Sequence, residues 1–343
     1  MRLDRGKNIN EAPGYPFDFR ARVTRCFVAG RRILFGKWLA KIFNHGPLSV
    51  DASGSAANEL LRQLIEDDKP CFVSRFGAIE MEAALRGIDI QRPTSLLRKI
   101  LLMACGEGGA FWWDNSIRAR MLWNAGFFPP DDESLNAFSY LVCKDVSQID
   151  VLVSWLPGER QFRRYYDKEL KAIPFIDYEP FWHDKPWSSS LKGMKVLVVH
   201  PFADTIRAQY ERRRLLFRNQ DMLPDFELIT YRTVSSFAGN SVAFESWFCA
   251  LDKMCNDIAQ IDFDIALIGC GAYGMNIGAF VKRELRRKAM HLGGMTQLLF
   301  GIKGGRWDAC PKYSQGLYNE YWVRPFDSDR VDHTETVEGG CYW

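Results

Sequence analysis

Four short stretches of this 343-residue chain carry residue types that can grip a phosphate or move a proton. The first is Asp264-Ile-Ala-Leu-Ile-Gly269-Cys270-Gly271-Ala272-Tyr273-Gly274. An apolar run closing in G-x-G-x-x-G, followed by a helical pattern from Met275, predicts strand, tight turn and helix. Glycines let a phosphate approach main-chain N–H groups, and the helix start adds partial positive charge. The gripping residues expected here are Gly271, Tyr273 and Gly274. The same turn can serve a dinucleotide or the chain reversal alone. A dinucleotide, however, asks for a carboxylate at the end of the next strand to hold its ribose. The next expected strand, Met290-His291-Leu292, ends in Gly293-Gly294 instead, which favours a phosphate-bearing ligand over NAD.

The second stretch is Ser74-Arg75-Phe76-Gly77-Ala78-Ile79-Glu80, at the end of a short expected strand. There Gly77 permits a sharp turn, Arg75 can pair a phosphate, and Glu80 can hold a metal, a sugar hydroxyl or a proton. A structural Arg–Glu pair fixing the turn is the alternative. The third is His200-Pro201-Phe202, again after a strand, where His200 can donate to a phosphate, act as a base, or simply fill its loop. The fourth runs from His291 through Gly293, Gly294, Gln297 and Lys303 to Arg306 and Trp307. It is rich in hydrogen-bond donors and poor in carboxylates, as an anion site should be. His291, Gly293, Lys303 and Arg306 are its expected donor-binding residues, with a glycine-rich surface loop as the competing explanation. Several other chemistries lack their motifs: there is no G-x-x-x-x-G-K-[ST], no G-x-S-x-G and no H-E-x-x-H. Asp262-Phe-Asp264 fits a D-x-D pattern but precedes its strand, and so reads as a strand boundary.

These stretches need elements to hold them at one edge. A helix is expected over 56–67, strands at 71–74 and 150–155, and a mostly helical insertion over 92–145 with Pro129-Pro130-Asp131-Asp132 starting one helix. Residues 174–186 read as an irregular aromatic connection. Strands then alternate with helices: 195–200, 226–231, 264–268 and 290–292 as strands, 244–258 and 275–288 as helices, with a short helix over 296–300. That alternation predicts an α/β, Rossmann-like, mostly parallel sheet with helices on both faces. The organisation expected is a lead-in and basic helix over 1–46, an α/β catalytic domain over 47–326, and a loose tail over 327–343.

Composition bounds the partners. A net charge of +3, with 25% charged residues, argues against nucleic acid as a ligand. Nine scattered cysteines without a C-x-x-C pair argue against a zinc site and a disulfide framework, and fit a reducing cytoplasm. Residues 17–44 alternate Arg22, Arg25, Arg31, Arg32, Lys37 and Lys41 with Val23, Phe27, Leu34, Trp38 and Ile42. That pattern is a basic amphipathic helix, which lies on an anionic membrane surface or packs on the domain. No apolar run is long enough to span a bilayer.

Taken together and in order, Arg75-Phe76-Gly77 with Glu80, Pro186-Trp187-Ser188 leading into 195–202, Gly271-Ala272-Tyr273-Gly274, and His291-Leu-Gly-Gly with Leu298 to Gly304 resemble the bacterial-type GT-D glycosyltransferases over 57–307. The resemblance implies a Rossmann-like fold and a nucleotide-sugar donor, in enzymes of surface polysaccharide and glycan assembly. It also implies a D-x-E pair with a divalent metal, Mn2+ or Mg2+. Here Ala78 stands at the Asp position and Glu80 remains, and one carboxylate is a poor ligand set for a hard cation. The expected function is transfer of a sugar, most simply a hexose, to a glycan or lipid-linked acceptor, with Glu80 and His200 as catalytic groups. The competing expectations are a non-catalytic nucleotide- or glycan-binding module and an NAD-dependent oxidoreductase.

Overall fold

A computed structural model of the protein describes Phe19 and residues 47–105, 110–240, 242–333 and 340–343, with Ala104 and Cys105 described in their main chain only. Apart from Phe19, the basic helix expected over 17–44 lies outside the described residues. Seven strands form one sheet: β1 Phe72–Ser74, β2 Val151–Ser154, β3 Lys171–Pro174, β4 Lys195–Val199, β5 Glu227–Tyr231, β6 Ile265–Ile268 and β7 Lys288–His291. The order is β3-β2-β1-β7-β6-β4-β5, and every pairing is parallel. The expected α/β sheet is therefore present, and it is wholly parallel.

The strands are short apolar runs because both faces are covered. Along β4, Val196 and Val198 pack under helix α6 (Ala203–Glu211) through Ile206 and Tyr210. The alternate residues, Leu197 and Val199, face Ile277 and Ala279 of α8 (Gly274–Arg283). A period of two thus feeds two cores, one on each face. Helix α1 (Ser55–Glu66) buries Ala57, Leu61 and Ile65 in the first core. The second core takes α2 (Ala78–Gln91), α4 (Asn115–Trp123), α5 (Asp132–Asp145) and α7 (Trp247–Ala259).

The insertion between β1 and β2 is helical, as expected, and comprises α2, α3 (Leu96–Cys105), α4 and α5. Its starts are capped locally. Asp114 accepts from Ile117 N at 3.1 Å, and Asp131 accepts from Ser134 N at 2.8 Å. Helix α8 stops at Arg283, short of the expected 288, because Arg286 takes a left-handed φ of 55° and Lys288 already belongs to β7. One strand is added and one expectation is corrected. Lys171–Pro174 is an edge strand that the sequence reading did not mark, running up to the connection expected from Pro174. The segment 327–343 is not loose where it is described. Asp329 is buried and accepts from Thr205 N and Oγ1 at 2.7 and 2.6 Å. Gly305 N and Arg306 N donate to the carbonyls of Trp343 and Cys341 at 3.2 and 2.9 Å. Main-chain bonds and three aromatic or sulfur-bearing side chains hold residues 341–343 against the domain. Among the described residues no helix is long and apolar enough to cross a membrane.

Candidate functional site

The chain leaves β4 toward β5 on one side and leaves β6 toward β7 on the other. In an open parallel sheet such a divergence opens a crevice at the carboxyl ends of the strands. One cleft occupies that place. Its walls come from the segments after β1, β2, β4, β5, β6 and β7, together with residues 306, 342 and 343.

After β1, Arg75 turns into the cleft. Its guanidinium lies 5.3 Å from the Trp155 ring centre and 5.8 Å from that of Phe175. Desolvation pulls its pKa below the usual guanidinium range, with the Glu80 carboxylate acting weakly the other way. Among the described residues no carboxylate stands within ion-pair distance of it. Gly77 precedes α2, and Glu80 is the third residue of that helix, where a carboxylate meets the positive end of the helix dipole. The carboxylate folds back over Gly77 so closely that a Cβ there would collide with it.

After β4, His200 is buried, and its Nδ1 accepts from Phe202 N at 3.0 Å. The neutral ring therefore carries its proton on Nε2. Burial pushes its pKa down to about 3. Of the roles open to it, donation to a ligand oxygen suits this tautomer, whereas so weak a base abstracts protons poorly near neutrality. After β6, Gly269 has no room for a side chain: a Cβ would stand 2.5 Å from Thr296 Oγ1 and 2.8 Å from His200 Cδ2. Gly271 takes a φ of 58°, which turns the chain into α8. Gly274 gives way to the His291 ring. Tyr273 lines the cleft, but its ring belongs to the core, stacked on Trp247 at 4.9 Å, with its hydroxyl 3.3 Å from Ser236 Oγ. After β7, His291 Nδ1 lies 3.3 Å from Ser74 Oγ, and burial together with the Arg75 charge lowers its pKa to about 3. Gly293, at φ 60°, lets Arg75 Nη1 come to within 2.8 Å of where a Cβ would be.

The expected residues therefore converge, with two exceptions, the first being Gly274, which lies behind the lining against the His291 ring. The second, Lys303, is not in the cleft; its Nζ lies over Tyr318 at 5.4 Å. The left-handed turn at Gly301 and the bond from Lys303 N to Val323 O redirect the chain there. Arg306 does reach the cleft, over Tyr342 at 4.7 Å. The Asp262/Asp264 pair lies at the amino end of β6, as expected of a strand boundary. Asp264 Oδ2 accepts from Lys195 N at 2.7 Å, and Asp262 pairs Lys195 Nζ.

The structure adds residues to the site. Trp155 donates its indole N–H to Phe76 O at 3.1 Å and offers a partly exposed ring beside Arg75. Its loop is held by the fully buried Glu159, which accepts from Trp155 N and Leu156 N at 3.0 Å each. Trp343 closes the opposite side against Phe202 and Phe237, at 5.8 and 5.7 Å.

Among the described residues the lining thus offers two guanidinium groups, a neutral Nε2–H and one carboxylate, a set that fits an anion. That described set does not fit a hard cation. Among the described residues no group of three His, Cys, Asp or Glu side chains is placed to hold a metal, and the one carboxylate, Glu80, shares its surroundings with Arg75. The chain matches no protein-family model, no curated protein and no solved structure.

Proposed function

We propose that the protein is a glycosyltransferase that takes a nucleotide diphospho-sugar into the carboxyl-edge cleft and passes the sugar to a glycan or lipid-linked acceptor. The observation that carries this reading is Arg75, desolvated between Trp155 and Phe175 and without a carboxylate partner among the described residues, at the switch point of a parallel sheet. A buried cation in that state is stabilised by a ligand that brings negative charge.

In the reaction, the bond between the anomeric carbon and the diphosphate oxygen breaks, and the acceptor oxygen bonds to that carbon. The acceptor's proton passes to Glu80, the one carboxylate lining the cleft among the described residues. The departing diphosphate gathers charge beside Arg75 and Arg306, with His200 Nε2–H as a further donor. Stabilising that leaving group is the largest contribution expected of the protein. The Trp155 ring and the Tyr342–Trp343 wall offer flat apolar faces for a sugar or a base.

Incubation with a panel of nucleotide-sugars and acceptors, with release of the nucleotide as the readout, tests this. Turnover should be lowered at least tenfold in Glu80→Gln, and full activity in that variant removes Glu80 from the mechanism. One feature favours the second reading, a binding module without turnover: Glu80 is folded over Gly77, and among the described residues no second carboxylate lines the cleft. Nucleotide binding with no release across the panel, with or without EDTA, would establish that module and exclude the transferase.

A further inference from the structure

Two side-chain amides line the cleft from different helices, Asn276 from α8 and Gln297 from α9 (Met295–Leu299). They are 3% and 1% exposed. An amide carries an acceptor oxygen at one end and two donor protons at the other, and burial penalises an end without a partner. Here the donor ends are fixed by surroundings that can only accept. Gln297 Nε2 lies 3.2 Å from Tyr342 O, 3.3 Å from Lys303 O and 3.5 Å from Ile302 O. Asn276 Nδ2 donates at 2.8 Å to the Asp145 carboxylate, which is itself paired with Arg283. Turning either amide over would set oxygen against oxygen. The orientation is therefore determined, and among the described residues it leaves Gln297 Oε1 and Asn276 Oδ1 without hydrogen-bond partners.

We infer that these two oxygens are recognition atoms, and that Gln297 determines specificity by accepting a hydrogen bond from a hydroxyl or N–H group on the uncharged part of the ligand. The inference rests on the cleft being a nucleotide diphospho-sugar site. A diphosphate at neutral pH offers acceptors only, so neither oxygen can seat it. The cleft thus has two chemistries. Arg75 and the Nε2–H of His200 suit the anionic middle of the ligand, and the amide oxygens suit a part that donates. A polyol and a nucleobase edge both donate, and the two are separable by experiment. Gln297 is also tied to the aromatic wall, because the main chain that holds its nitrogen is that of Tyr342, whose ring crowds Gly294.

The test is calorimetric binding of UDP-glucose and GDP-mannose, of UDP and GDP alone, of single-deoxy sugar analogues, and of base N-methylated analogues. An acceptor left buried and unpaired should weaken one analogue about 10- to 100-fold relative to its parent in the wild-type protein. A loss confined to the deoxy-sugars assigns the contact to the sugar; a loss confined to the N-methylated compounds assigns it to the base. In Gln297→Met the sensitive analogue and its parent should bind alike. A folded Gln297→Met that keeps the full discrimination overturns the role of Gln297. If that variant does not fold, the wild-type scan decides alone, and analogues all within twofold of their parents overturn the inference. If neither parent nucleotide-sugar binds, the donor-site reading itself fails and the inference falls with it. Binding without discrimination is the outcome that defeats the inference and leaves that reading standing.

Discussion

Two polar assemblies of the domain have opposite characters. Between α2 and α4, Arg86 donates to Asp114 at 2.5 Å and to Glu82 at 3.2 Å, and Glu82 is gripped at both oxygens by Arg120 at 2.7 Å. Asp114 also caps α4. Every charge in that group is paired within the protein. At the cleft, among the described residues, Arg75 has no carboxylate within reach, His200 Nε2 has no acceptor, and two amide oxygens have no donor. Desolvation costs both assemblies something. In the first it is offset inside the fold, whereas in the second the offset must come from outside. That contrast separates a scaffold from a binding site without reference to any motif.

The contrast breaks most visibly at Asp114. Asp114→Ala leaves Arg86, 7% exposed, without its closest partner and uncaps a helix. It should cost about 3–5 kcal/mol in urea unfolding; a loss below 1 kcal/mol would mean that the network does not hold the insertion.

A smaller effect follows from the two cleft histidines, whose pKa values are about 3 when folded. An unfolded imidazole binds a proton below about pH 6.5. The folded protein does not until near pH 3, so stability is full above pH 6.5 and declines as pH falls toward 3. The slope should be about 1.4 kcal/mol per pH unit for each histidine. Urea midpoints at pH 6.5 and 5.5 measure it, and His200→Gln should remove about half of the difference.

The smallest change in stability should accompany Arg75→Met. Losing an unpaired buried cation should move the unfolding free energy by less than about 1 kcal/mol. Nucleotide binding should nevertheless weaken about 10- to 100-fold, the worth of a charge-assisted hydrogen bond. A variant that loses several kcal/mol of stability yet binds nucleotide as tightly as the wild type would reverse the comparison, making Arg75 part of the scaffold.

The strands after which the cleft opens were readable because both-face burial writes them as apolar runs, as in Val196 to Val199 and Ile265 to Ile268. The turn at Gly271 was readable because few residues other than glycine accept a φ of 58°. Edge strand β3 was not, since it is four residues long, ends in Pro174 and pairs on one side only. Lys303 looked like a cleft residue because its neighbours in sequence are, yet direction after a left-handed glycine is not written in composition. Trp343 and Tyr342 enter the site through contacts with residues far away in the chain, and no local pattern announces that. Gln297 was visible as a member of a donor-rich stretch. Its importance as an acceptor became visible only once three carbonyls were seen around its nitrogen.

The place of β1 in the sheet has a consequence for how the molecule forms. It lies between β2 and β7, so Ser74 and His291, 217 residues apart, become neighbours only at the end of assembly. On a ribosome, the strand that precedes Arg75 waits with one edge open until His291, 217 residues after Ser74, has emerged. Long-range parallel pairing of this kind is slow and exposes unpaired edges meanwhile. The cleft thus forms only after β7 has docked beside β1, and a chain interrupted before residue 288 has the parts of a cleft without the strand that joins them.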